Sequence, residues 1–258
     1  MFYTSNNQEE LFKNIEALGL TQEIIKNEVL IKINLSRPYT KNLPRTDMML
    51  LKTFVDYIYQ NGGKCAITEG ASGYLNENLV ASGFDELLKR YKIKVIDVDL
   101  EDCDEVLSFG EHHYIPKCFQ EYPTRIAIPS TSKRENMVFS NNVKLFVGAV
   151  PRRMYQLDTA NVVIDAPRPK IHQNLHSSVA NLFLAINSYS PFQFYVNGGL
   201  SFNEHIGEFN FSEVFIGNDA LELDCHLFKT FFNDCEYPDY LDILTKSIKE
   251  KAEEDKNA

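Results

Sequence analysis

The chain of 258 residues has no tryptophan, and its five cysteines form no C-x-x-C pair. Cys65, Cys103, Cys118, Cys225 and Cys235 are odd in number and scattered, which argues against a disulfide framework, a zinc knuckle or an iron–sulfur centre. There is no G-x-x-x-x-G-K-[ST] phosphate loop, no G-x-G-x-x-G fingerprint, no G-x-S-x-G elbow and no H-E-x-x-H pair. No apolar run approaches the ~18–20 residues of a membrane helix. Met1 to Glu10 is polar and acidic, so no signal peptide is expected and the cytoplasm is the default compartment. Positive charge is scarce: 26 Lys and Arg stand against 36 Asp and Glu, a formal net charge of −10. Nucleic-acid binders draw affinity from neutralising phosphates, so neither a nucleic acid nor a membrane is expected as partner.

What is present reads as a soluble α/β protein. Gln8 to Leu18 has helical spacing and ends at Gly19. Val29 to Ile33 is an apolar-rich strand, followed by a polar loop from Asn34 to Arg45. Thr46 then reads as an N-cap, with Asp47 at the positive end of a helix reaching about Gln60. Cys65 to Thr68 is a strand, Asn76 to Tyr91 helical and Ile93 to Val98 a strand. This alternation predicts a mostly parallel sheet flanked by helices, in Rossmann-like layers, with ligands at the carboxyl ends of strands. Asp97 to His113 carries seven Asp and Glu with His112 and His113, and reads as a solvated loop. Arg125 to Ile128, Phe192 to Val196 and Phe211 to Ile216 read as strands, and Asn174 to Asn187 as a helix. Asp219 caps a helix with Glu222 three residues on. The expected division is an N-terminal helical segment (1–28), one α/β domain (29–235) and a C-terminal helix with a charged tail (236–258).

Four clusters could carry chemistry. Asn34, Ser36 and Arg37, with Arg45 and Thr46, lie between a strand and a helix N-terminus, where backbone N–H groups and arginine forks attract anions. Glu69, Gly70 and Ser72 form a glycine-containing turn after a strand. Arg125 to Lys170 holds eight Lys and Arg against three Asp and Glu, and Lys133, Lys144 and Arg152 in it could neutralise an anion. His176 and Asp224 complete the set. His172, His176, Asp219 and Asp224 offer an awkward ligand set, since Asp219 and Asp224 point in different directions on a helix. No metal or cofactor is therefore expected.

These landmarks, in order, resemble the family known as domain of unknown function 362. The likeness rests on Ile31-Lys32-Ile33-Asn34, Thr46-Asp47, Glu69-Gly70, Lys144-Leu145-Phe146-Val147-Gly148, His176, and the helix start at Asp219, Leu223 and Asp224. The chain departs from the family pattern at Pro129-Ser130-Thr131-Ser132, where lysines and a histidine would stand, and shows Asn197-Gly198 for an Asp-Gly step. It also lacks the iron–sulfur segment of some members. The resemblance implies the fold more than a reaction. Asn34-Leu35-Ser36-Arg37-Pro38 is also similar to the T-R-P step of nickel-pincer lactate racemases, which implies an anion site there. The expectation is a small anionic metabolite, phosphorylated or carboxylated, as ligand of an enzyme in which Arg37 and Arg45 anchor it, Lys144 and Arg152 neutralise charge, and Glu69 or His176 moves a proton. The alternative is a non-catalytic anion-binding or sensor subunit. Oligomeric state is not legible.

Overall fold

Seven strands form the central sheet of the computed structural model, which describes residues 1–35, 45–134, 136–157, 168–199 and 213–257. The chain opens with β1 (Phe2–Ser5), α1 (Gln8–Ala17) and α2 (Leu20–Lys26). The Asn7 side chain accepts from Glu10 N to cap α1, and Gly19, at φ 77°, lets α2 start at once. β2 (Glu28–Ile33), α3 (Met48–Gln60), β3 (Lys64–Glu69), α4 (Leu75–Ala81), α5 (Asp85–Tyr91) and β4 (Lys94–Asp97) follow as right-to-left repeats of strand and helix along the sheet. A hairpin of β5 (Cys103–Ser108) and β6 (Glu111–Pro116) comes next, then α6 (Cys118–Glu121) and β7 (Thr124–Ile128). β8 (Ser132–Arg134) and β9 (Val138–Ser140) pair as a short hairpin before α7 (Asn142–Leu145) and two 3₁₀ turns, Phe146–Ala149 and Arg152–Tyr155. The rest is α8 (Pro169–Gln173), α9 (Leu175–Tyr189), β10 (Phe194–Gly198), β11 (Val214–Gly217), α10 (Ala220–Phe231) and α11 (Asp239–Asn257).

The strand order is β1-β11-β10-β7-β2-β3-β4. β10, β7, β2, β3 and β4 are parallel, and β11 runs antiparallel to both β1 and β10. Alternation along β2 divides the core. Val29, Ile31 and Ile33 join α1 to α5 on one face, while Leu30 joins α6 to α11 on the other. Both faces are covered, so the inner strands read as continuous apolar runs rather than as alternating ones. The expected α/β architecture is present. No helix among the described residues is long and apolar enough to cross a membrane.

Three readings change. Residues 1–28 are not only helical, because Phe2–Ser5 forms an edge strand on β11. The acidic stretch after Asp97 is not a loop throughout: Cys103 pairs with Pro116 and Ser108 with Glu111, around a turn in which Phe109 and Gly110 have φ of 52° and 74°. The C-terminal helix is part of the core, with Tyr240, Leu241 and Leu244 fully buried against the layer containing α9.

The topology creates a reversal of strand order. From β2 the chain builds outward through β3 and β4, then returns to place β7 and β10 on the other side of β2. The carboxyl ends of β2 and β7, at Ile33 and Ile128, are therefore the point where strand order reverses.

Candidate functional site

Thr46 bridges those strand ends. Its hydroxyl donates to Ile128 O and accepts from Asn34 N at 2.8 Å, and its own N–H donates to Asn34 O at 3.0 Å. The threonine is thus a strand-to-strand bridge. The N-cap of α3 is Asp47, whose Oδ1 accepts from Leu50 N, which corrects the expected cap by one residue. The clamp holds the base of the loop that leaves β2 and sets half-buried Arg45 beside it. Ser36 and Arg37 lie outside the described residues, so the expected meeting of Arg37 with Lys144 does too.

Next to the clamp sits a buried charge cluster. Lys32 Nζ lies 2.9 Å from Glu69 Oε2 and 2.8 Å from Ile33 O, with both side chains out of solvent. Glu69 also accepts from Leu35 N and Gly70 N. Burial pushes the lysine's pKa down and the carboxyl's up, each opposed by the other's charge. Gly148 closes over the pair: a Cβ there would fall 2.4 Å from Glu69 Oε1. Gly70 N donates to Gly148 O at 3.0 Å, tying the turn after β3 to the 3₁₀ turn.

The turn from Gly70 to Gly73 is held by the chain's own acids. Asp97 accepts from Ala71 N and Gly73 N, and Asp99 from Ser72 N. Asp99 also takes the backbone N–H and the guanidinium of Arg152, which reaches Ser72 Oγ as well. Arg168 lies 3.6 Å from Asp99 and donates to Val150 O. Burial, then the charge of Arg152, push the Arg168 pKa down to about 10. The backbone amides of Ala71, Ser72 and Gly73 thus face internal carboxylates.

A second, buried polar cluster lies at the ends of β7 and β10. Asp224 is fully buried and accepts from Asn141 Nδ2, from Asn142 N and Nδ2, and from Val143 N. It therefore anchors the start of α7, and burial raises its pKa to about 7. Asn197 donates to Asn141 Oδ1 and Asn142 Oδ1, and Thr131 Oγ1 bonds Asn141 Oδ1. Gly198 follows at φ 102°, with Glu213 O 2.2 Å from where a Cβ would stand, so the Asn-Gly step needs its glycine. Two residues past β7, Ser130 is 4% exposed, and neither its hydroxyl nor that of Ser132 makes a hydrogen bond among the described residues.

Glu69, Gly70, Ser72 and Arg152 thus come together. Asn34 and Thr46 bond each other at the adjoining end of β2, with Arg45 next in sequence. Lys144 is half-buried in the last turn of α7, four residues before Gly148. Lys133 is exposed on the β8–β9 hairpin, and His176 stands in the first turn of α9 beside Tyr240, ring centroids 6.3 Å apart. Sequence reading missed Lys32, Asp97, Asp99, Arg168 and Ser130. A signal existed for Lys32: a lysine inside an apolar run that becomes a strand covered on both faces must be paired.

A family model described as domain of unknown function (DUF362) matches residues 29–228, more than three quarters of the chain. No curated protein and no solved structure shows significant similarity to it.

Proposed function

This chain belongs to the DUF362 family, and we propose that its β2–β7 crevice binds a small anionic metabolite, phosphorylated or carboxylated. The observation that carries this reading is Ser130. A buried hydroxyl without a partner forfeits a hydrogen bond, and protein interiors rarely leave one so unless a ligand or water completes it. It sits at the switch in strand order, where open α/β sheets take their ligands. Arg45 is the cation nearest the clamp in sequence, and Lys32 with Glu69 forms the group able to hold or move a proton beside it.

The test uses Ser130→Ala. Deleting a hydroxyl that bonds to nothing leaves the free protein's stability nearly unchanged. Thermal melts of wild type against inorganic phosphate, sugar phosphates and hydroxycarboxylates should show one that stabilises, by ~2.7 kcal/mol at a hundred times its dissociation constant. Ser130→Ala should lose most of that shift. A panel that moves no melt, or a shift intact in Ser130→Ala, would refute the reading.

One observation favours a binding subunit over an enzyme: Glu69 already accepts from Lys32, Leu35 N and Gly70 N. Deuterium exchange into the bound anion separates the two. Exchange lost in Glu69→Gln marks catalysis, and binding without exchange marks a sensor.

A further inference from the structure

A cavity of about 340 Å³ opens beside the Arg152–Tyr155 turn, between β6 and the start of α9. Its size is at the small end of ligand sites. Tyr155, Ile171 and Leu182 are buried and give it an apolar floor. His113 lines it too. That imidazole is 3% exposed, and among the described residues neither ring nitrogen makes a well-formed hydrogen bond; Glu111 Oε2 is 4.0 Å from Nε2, and burial lowers the ring's pKa against the pull of Glu111 and the Ser108 backbone.

We propose that this cavity is a binding site for a small organic anion with a ring-sized apolar body, whose carboxylate or phosphate is held by His113. Three features select the charge. Lys170 stands at the rim. Asn174 and Ser178 bring in the first turn of α9, a 15-residue helix whose N-cap side chain makes no capping bond. His113 supplies the third, a desolvated imidazole with no well-formed hydrogen bond among the described residues. Glu111 opposes an anion, but its side chain is 49% exposed and is screened by water. The apolar body would pack on Tyr155, Ile171 and Leu182. The cavity is independent of the Ser130 crevice and does not rest on the reading given to that crevice.

Benzoate and phenyl phosphate are the probes. Titrated into the full chain under ¹H–¹³C NMR, at least one should shift the His113 ring resonances saturably. His113→Phe, which replaces an unbonded buried ring by an apolar one, should weaken binding at least tenfold while keeping the wild-type circular dichroism. Ser178→Trp, which fills the cavity from its half-buried wall, should block binding without touching the imidazole. Ser130→Ala should leave it unchanged. Ring resonances unmoved by both probes, or wild-type binding strength kept in either His113→Phe or Ser178→Trp, would overturn the site.

Discussion

Lys32 Nζ and Glu69 Oε2 meet at 2.9 Å, with side chains 0% and 1% exposed, although 37 residues separate them. They sit on adjacent parallel strands in which Lys32 is in register with Thr68, so the pair crosses diagonally at the strand ends. Removing one partner strands the other's charge in the interior. Lys32→Met should therefore lower stability by about 3–5 kcal/mol, and Lys32→Met with Glu69→Leu should recover much of it. Urea denaturation of both variants checks this. A single variant as stable as wild type would show that the pair is not charged or not buried.

Gly148 is constrained by the same carboxylate. A methyl group there would meet Glu69 Oε1, which Gly70 N pins in place. Gly148→Ala should cost ~1–3 kcal/mol, the usual cost of overpacking. A thermal melt at the wild-type midpoint would mean the carboxylate moves freely.

Thr46 satisfies two backbone groups of different strands, so its hydroxyl matters more than its shape. Thr46→Val keeps the volume and leaves Ile128 O and Asn34 N unsatisfied, a loss of roughly 2–4 kcal/mol. Thr46→Ser should lose much less. Equal stability of the two variants in denaturant would count against the bridge.

Asp224 gives a pH signature. Its folded pKa is about 7 against an ordinary 3.8, so the folded chain holds the proton more tightly than the unfolded chain between those values. Its contribution is complete below about 3.8 and is lost as pH rises through about 7. The stability difference between wild type and Asp224→Asn should shrink by on the order of a few kcal/mol from pH 4 to pH 8. A difference constant across that range would refute the shift.

Local chemistry by itself determined much of this protein. The alternation of Val29–Ile33, the α3 helix and Cys65–Thr68 specified a parallel sheet, because helix and strand periods are local. Asp219 was legible as a cap for the same reason: its side chain accepts from Glu222 N, three residues away. Only the tertiary structure decided which groups meet. The reversal of strand order beside β2 brings Thr46 to Ile128, 82 residues on, and Asp224 to Asn142, 82 residues back. Asp224 read as a ligand contact and is an anchor for α7. His113 read as solvated because acidic neighbours surround it in sequence, yet strand pairing and the cover of α9 bury it. Burial depends on what lies across space, and a linear pattern carries that only where both faces of an element are apolar.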